Sequence, residues 1–200
     1  MKKRVIHWFR NDLRLADNPG LHEASASDEV MPIYILTPNA MSEFGQASKI
    51  WLHHSLDKLN KSTVYKIDFY TGNPREILTE IIQLEKIQGI FWNKIFEPHN
   101  LVNDDGLITE LNKVGVSCHC FNGSLLWEPS SILKKDETPY KVFTPYYRNG
   151  CLLSETPREP LISPKSINWV SGNGKLRLED LRLLPDHDWR KKIESHWFMG

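Results

Sequence analysis

The sequence predicts an α/β fold built on a doubly wound, five-stranded parallel sheet. Short apolar runs alternate with helical patterns from the start of the chain to about residue 121, and strands connected through helices in this way pair in parallel. Most of these runs are apolar at every position, which is typical of strands covered on both faces. The composition, 40% hydrophobic and 25% charged residues, is that of an ordinary globular domain.

Five strands are expected in chain order. Pro32 directly precedes the second apolar run, and because proline has no amide hydrogen it is expected to open that strand. The expected strands are Val5–Phe9, Ile33–Leu36, Val64–Tyr70, Ile90–Trp92 and Val116–Phe121.

Four helices are expected between these strands. The third has the clearest start, because Asn73 is a suitable N-cap, Pro74 suits the first helical position and Glu76 lies where a capping box places its carboxylate. Its apolar residues recur at helical spacing and should face the sheet. The expected helices are Pro19–Ala26, Gln46–Asn60, Pro74–Ile87 and roughly Asn103–Val114.

The strand and helix alternation stops at Asn122. Two aromatic stretches follow, around Trp127 and over residues 140–148, and they are expected to pack either across a domain edge or as a lid on the domain's own core. Prolines and a Ser-Gly-Asn-Gly run over residues 157–174 then indicate an extended linker. The last residues, 196–200, contain no closing element, so we expect the chain to have been cut there.

Charge and motifs exclude several function classes. The 25 basic and 25 acidic residues balance, so no long-range field draws this chain to a polyanion. Its apolar runs are too short to cross a bilayer and no export signal is present, which predicts a cytoplasmic protein without membrane contact. The glycine-rich phosphate loops, the nucleophile elbow and the zinc-hydrolase motif are absent. Cys118 and Cys120 are expected to be reduced thiols rather than metal ligands, and no metal site is predicted.

A ligand crevice is expected where the first and fourth strands end. These strands are neighbours in the usual strand order, so the loops after Phe9 and after Trp92 should face each other. They combine polar side chains with aromatic rings, which suits a planar heteroaromatic ligand and lacks the nucleophile and base of a hydrolase. In an alternative interpretation, the charged side chains between positions 10 and 17 form ion pairs that hold the strand-to-helix turn and contact no ligand.

Several motifs resemble the N-terminal half of the DNA photolyase and cryptochrome family. The resemblance covers Lys3 to at least Arg158, and the closing residues 196–200 resemble the start of the family's second domain. The matching stretches are His7-Trp8-Phe9-Arg10-Asn11-Asp12-Leu13-Arg14-Leu15, Trp51-Leu52-His53-His54-Ser55-Leu56, Glu97-Pro98-His99-Asn100, residues 121–129 and residues 140–145.

The resemblance implies a Rossmann-like domain over residues 1–130 and an interdomain segment and linker over residues 131–200. In the family, a helical domain that is absent here binds FAD and damaged DNA, and photoexcited reduced FAD splits the pyrimidine dimer. The α/β domain holds an antenna chromophore, a methenyl-tetrahydrofolate or a deazaflavin or flavin. The resemblance therefore implies a deoxyribodipyrimidine photolyase, a lyase of DNA repair, or alternatively a cryptochrome-type signalling photoreceptor. No catalytic residue is expected in these 200 residues.

The resemblance also implies candidate site residues. In some folate-binding relatives the positions of His99 and Asn100 hold an asparagine and a glutamate that contact the pterin. Both identities differ here, so either Glu97 supplies the carboxylate, or a pigment lies deeper near Arg10, or none is bound. The candidate antenna residues are Trp8, Arg10, Asn11, Asp12, Asn93, Glu97, His99 and Asn100. The candidate interdomain residues are Trp127, Tyr140, Lys141, Phe143 and Tyr146.

Overall fold

The structure, a computed structural model, describes residues 2–199 and contains one five-stranded parallel sheet in the order β3-β2-β1-β4-β5. This confirms the predicted fold class. Because β1 pairs with both β2 and β4, the ends of β1 and β4 are adjacent, as the predicted strand order requires. The strands are β1 (Arg4–Phe9), β2 (Glu29–Leu36), β3 (Asp68–Thr71), β4 (Gly89–Asn93) and β5 (Ser117–Phe121).

Five helices connect these strands, and proline occupies the first turn of four of them. The Asn73 side chain caps the fourth helix as predicted, accepting from the amide of Arg75 at 3.0 Å. Asn18 and Thr37 cap two earlier helices in the same way. The helices are α1 (Pro19–Ala24), α2 (Pro38–Glu43), α3 (Gln46–Ser62), α4 (Pro74–Glu85) and α5 (Pro98–Lys113).

Two predictions about strands were wrong. Val64 and Tyr65 are not in a strand, because α3 runs to Ser62 and both residues turn the chain with positive φ angles of 56° and 58°. Pro32 lies inside β2 rather than opening it. The missing amide hydrogen of Pro32 costs no hydrogen bond between strands. On the edge of β2 that faces β3, Val30 pairs with Trp169, and the pairing with β3 begins only at Ile33.

Two predictions about helices also need correction. The helix α2 was missed, although Thr37 and Pro38 form a normal start signal. The helix α5 begins at Pro98, five residues before the expected start at Asn103. Proline at the first helical position explains this earlier start.

The core lies on both faces of the sheet. Ile6 and Trp8 of β1 pack on one face against apolar side chains of α4 and α5, such as Leu78 and Leu107. Phe9 points to the other face, where it packs with side chains of α1 and α3. Such coverage of both faces explains why almost every position of the central strands is buried.

The predicted linker returns to the sheet. Trp169 forms a parallel bridge with Val30, and Leu176 forms an antiparallel bridge with Phe69. Leu181 and Leu183, which follow, are buried in the core with Phe9. Residues 167–183, which we call the strap, therefore pack on the sheet and its core instead of extending away from them.

Residues 122–160 contain no strand and only short helical turns, at Pro129–Ser131, Phe143–Pro145, Tyr146–Gly150 and Cys151–Leu153. A last helix, Trp189–Glu194, follows the strap. The expected truncation concerns residues 196–200, of which Gly200 lies outside the described residues. None of the helices described between residues 2 and 199 is long and apolar enough to traverse a lipid bilayer.

Candidate functional site

A buried hydrogen-bond network holds the turn that follows β1. The Asp12 carboxylate accepts from the Arg10 amide at 3.0 Å and from the Asn18 side chain at 3.1 Å. Asn93, at the end of β4, donates to Asp12 and to Asn18, and accepts from the Gly20 amide at 3.0 Å. A Cβ at Gly123 would lie 2.6 Å from Asn93, so this close approach requires glycine. The loops after β1 and β4 therefore face each other, and Asp12 and Asn93 serve to join them.

Arg14 and Asp17 also join parts of the chain. The Arg14 guanidinium donates to the Asp17 carbonyl at 2.9 Å and to the Gly123 carbonyl. Asp17 accepts from Arg158 at 2.5 Å, and this hydrogen bond lowers the pKa of the Asp17 carboxyl. Asp12, Arg14 and Asp17 therefore hold the chain after β1 in place, although they do not form ion pairs with one another. Asp12 and Arg14 bond to amides and carbonyls, and Asp17 pairs with Arg158.

A large cavity of about 830 Å³ opens at the carboxyl ends of β1 and β2. Trp8, Tyr34 and Phe44 supply its aromatic surface. Burial raises the pKa of Tyr34 to about 12, so its hydroxyl stays protonated at physiological pH. The amino ends of α2, α4 and α5 form the surrounding wall. This is the location at which doubly wound sheets bind ligands.

Arg10 and Asp104 form a buried ion pair in the wall of the large cavity. Arg10 Nη1 lies 2.7 Å from Asp104 Oδ2, and the two side chains are only 8% and 7% exposed. The indole nitrogen of Trp92 donates to the same oxygen at 3.1 Å. The guanidinium also lies over the Trp8 ring, 4.7 Å from its centroid, in a cation–π contact. The positions of Arg10 and Trp8 are thus set by side chains from β4 and α5.

The structure divides the predicted antenna residues between two cavities. Asp12 and Asn93 are absent from the lining of the large cavity and instead line a second, small cavity of about 460 Å³, together with Lys94 and Ser124. Asn11 and Glu97 line both. The predicted residues that line the large cavity are Trp8, Arg10, Asn11, Glu97, His99 and Asn100.

Sequence reasoning missed two parts of the large cavity. The wall formed by α2 and Phe44 was missed with that helix, although the Thr37-Pro38 start signal could have indicated it. Asp104 was missed because nothing local distinguishes it from the exposed acidic residue at position 105 on the same helix. Only the approach of α5 to β1 makes Asp104 a partner of Arg10.

The predicted interdomain residues lie at the surface or close to it. Phe143 is 73% exposed and stacks only on Tyr147 within the described part of the chain, with ring centroids 5.8 Å apart. Lys141 is also exposed. Tyr140 and Tyr146 are half-buried against each other, and the Trp127 indole donates to the carbonyl of residue 155 at 2.9 Å. The aromatic segment over residues 140–148 is therefore not a lid over the sheet's core.

The large cavity suits the binding of a planar ring. Its aromatic walls can stack on a planar molecule, and its polar side chains can orient that molecule. Within residues 2–199, no group of three His, Cys, Asp or Glu side chains is arranged to hold a metal ion. Burial raises the pKa of the Cys120 thiol to about 12 and that of Cys118 to about 11, so neither thiol is an activated nucleophile.

Comparison with known proteins identifies the family. A sequence model of the DNA photolyase family matches residues 5–164, which is most of the chain. The chain belongs to the DNA photolyase family. It is 34% identical over 205 residues to the deoxyribodipyrimidine photo-lyase of Agrobacterium fabrum, an alignment that covers 98% of this chain and 42% of that protein.

Two further photolyase-family relatives are similar to the chain. A bacterial class III photolyase structure from Agrobacterium tumefaciens superposes with a TM-score of 0.88 at 32% identity, covering all of this chain and 42% of that one. Cryptochrome-2 of Arabidopsis thaliana is 32% identical over 162 residues, covering 76% of this chain and 26% of that protein. The chain thus spans about two fifths of the photolyases and about a quarter of the cryptochrome.

Proposed function

We propose that this chain is the antenna domain of a light-dependent DNA repair photolyase. In this proposal the large cavity holds a methenyl-tetrahydrofolate or a deazaflavin or flavin chromophore. A helical half of the same protein binds FAD and the damaged DNA, and electron transfer from reduced FAD splits the cyclobutane pyrimidine dimer. The observation that carries the proposal is the large cavity itself, which combines aromatic and apolar walls with polar side chains that can orient a ring.

The dimensions and lining of the large cavity support a chromophore of this class. Its volume of about 830 Å³ falls within the 300–1,000 Å³ that is typical of cofactor sites. The Arg10–Asp104 ion pair in the cavity wall is buried and bonded to the Trp92 indole, so polar contacts to it would give a bound ligand a fixed orientation. A fixed orientation is what excitation transfer to FAD requires.

Exposed apolar side chains support a second half as the partner. Phe143, Leu153 and Trp197 are 73%, 78% and 63% exposed, and large exposed apolar patches indicate interaction surfaces. We propose that the aromatic segment around Phe143 contacts the FAD-binding half of the same protein. Since the chain carries no net charge, the DNA would be bound by that half. We also propose a cytoplasmic location, where three free cysteines stay reduced.

Pigment binding tests the antenna proposal. The full-length protein is titrated with methenyl-tetrahydrofolate and with a deazaflavin, and the quenching of pigment fluorescence by FAD is followed. We expect binding of one pigment with energy transfer, weakened about fivefold or more by His99→Ala, which removes a side chain from the lining of the large cavity only. Ser124→Ala, in the lining of the small cavity only, is the matched control and should bind normally. Absence of binding for both pigments, and for a flavin titrated in the same way, would overturn the proposal.

Cryptochrome-type signalling is the second candidate function, favoured by the 32% identity to the plant cryptochrome. A repair assay separates the two functions. The full-length protein with reduced FAD is illuminated with DNA that contains thymine dimers. Light-dependent turnover is expected for a photolyase, whereas FAD photoreduction without repair would identify a photoreceptor. We expect the 200-residue chain by itself to give no repair.

A further inference from the structure

We propose that Arg10 and Asp104 together recognise the lactam edge of the chromophore, the adjacent carbonyl and ring N–H that pterins, flavins and deazaflavins share. In this arrangement the Arg10 guanidinium donates to the ring carbonyl and Asp104 Oδ1 accepts from the neighbouring ring N–H. The inference rests on the proposed antenna function and assigns specificity within it to Asp104.

The hydrogen bonds of the pair leave one donor side and one acceptor free. Among residues 2–199, the Arg10 side chain makes one hydrogen bond, from Nη1 to Asp104 Oδ2 at 2.7 Å. The same oxygen accepts from the Trp92 indole at 3.1 Å. Oδ1 accepts no hydrogen bond from the described side chains or backbone, and neither it nor the other guanidinium nitrogens are enclosed without a partner. These atoms therefore keep some solvent access, and both residues line the large cavity.

The Trp92 indole explains why the pair stays open. Arginine and a carboxylate usually pair through two parallel hydrogen bonds, which would use both carboxylate oxygens. Here the indole nitrogen binds Oδ2 from the buried strand β4 and holds the carboxylate in its single-bonded orientation. The cation–π contact with Trp8 restricts the guanidinium in turn. A donor and an acceptor therefore lie side by side, which is the complement of a lactam edge.

Burial makes this recognition selective. The Arg10 and Asp104 side chains are 8% and 7% exposed, so a ring that enters the cavity displaces the little water that reaches them. A ligand that cannot satisfy Oδ1 would leave a buried carboxylate oxygen without a partner, and such a loss costs more than the bond itself contributes. A ring nitrogen that carries a methyl group in place of hydrogen should therefore be rejected.

Ring-methylated probes test the inference. The full-length protein is titrated with 6-methylpterin and with 5-deazalumiflavin, each against the analogue methylated at the lactam nitrogen N3, and probe fluorescence is recorded. We expect methylation to weaken binding by about tenfold or more for the ring that the cavity accepts. The pterin and deazaflavin arms show which of the two ring classes that is.

Matched variants assign the selectivity to Asp104. Asp104→Asn keeps one oxygen for Arg10 and Trp92 and replaces the acceptor Oδ1 with an NH2 donor. The variant should bind the unmethylated ring about tenfold more weakly and should no longer discriminate between methylated and unmethylated rings. Asp105→Asn, on the exposed side of α5, is the control and should keep it. Equal binding of methylated and unmethylated rings, or discrimination that survives in Asp104→Asn, would overturn the inference and leave the antenna function standing. If neither ring binds although an intact pigment does, the inference falls and the antenna function stands, and if no intact pigment binds either, both proposals fall. If Asp104→Asn does not fold, the comparison of methylated and unmethylated rings in the wild-type protein decides whether the lactam N–H is recognised.

Discussion

The aromatic side chains of the central strands β1 and β4 are buried, whereas those of residues 122–199 are half-buried or exposed. Trp8, Phe9 and Trp92 are at most 5% exposed, whereas Phe143 and Phe198 are 73% and 98% exposed. The first region, residues 4–121, satisfies its backbone through a sheet and covers both faces of it with helices, so it forms its own core. The second region, residues 122–199, has short helical turns and no sheet of its own, and its strap, residues 167–183, packs on the core of the first region. The difference indicates that a scaffold and an interaction surface are joined in one chain.

The strongest test of this comparison is the removal of one tryptophan from each region. Trp92→Ala should lower the free energy of unfolding by about 3–5 kcal/mol, because it leaves a cavity in the core and removes a donor to Asp104. Trp197→Ala, at a side chain that is 63% exposed, should change it by less than about 0.5 kcal/mol. Urea denaturation measures both. Equal losses would show that the second region has a core of its own.

The buried network after β1 offers the next largest effect. Asn93→Leu leaves Asp12, Asn18 and the Gly20 amide without their shared partner, and should cost about 2–4 kcal/mol. Asn122→Ala, the control in the second region, removes only bonds within one loop and should cost about 1 kcal/mol. Thermal unfolding of both variants measures the difference. A smaller loss for Asn93→Leu than for Asn122→Ala would contradict the assigned roles.

A pH dependence follows from His7, whose ring is fully buried in β1 and whose two nitrogens have no hydrogen-bond partner among the described residues. Burial lowers its pKa from 6.5 to about 4, against the opposing charge of Asp12. Between pH 6.5 and 4, His7 is therefore protonated in the unfolded chain but neutral in the folded chain. This difference lowers the free energy of unfolding as the pH falls through that range.

Between pH 7.5 and pH 4.5, the free energy of unfolding should fall by roughly 2–3 kcal/mol less in His7→Leu than in the wild type. Urea midpoints at the two pH values, compared with those of the wild type, give this difference. His22→Leu, at an exposed ring on α1, controls for the replacement of a histidine by leucine. An unchanged pH dependence in His7→Leu would mean that other groups determine it.

The smallest effect on stability is expected at the exposed surface of the second region. Phe143→Ser should change the unfolding free energy of the chain by less than about 0.5 kcal/mol, because the ring is 73% exposed. It should also reduce self-association of the chain, measured by light scattering, since it removes apolar surface. Destabilisation well above this value would show that Phe143 packs within the chain.

The predicted fold was correct where local patterns are strong. The apolar runs placed all five strands in sequence, and the Asn73-Pro74 pair marked the start of α4 to the residue. Errors occurred where a local preference was overridden. Val64 and Tyr65 favour strands, yet they form the turn after α3. Pro32 disfavours a strand interior, yet it lies in β2 where that edge has no partner strand.

The sequence by itself determined the alternation of strands and helices, the family resemblance and the polar and aromatic residues at the strand ends, because these depend on periodicity and on neighbouring residues. Only the tertiary structure decided which of those residues share a cavity. It joined Asp12 and Asn93 to each other, it brought Asp104 to Arg10 across 94 positions of the chain, and it returned residues 167–183 to the sheet. Contacts between distant residues depend on how the elements pack, and no local pattern encodes that packing.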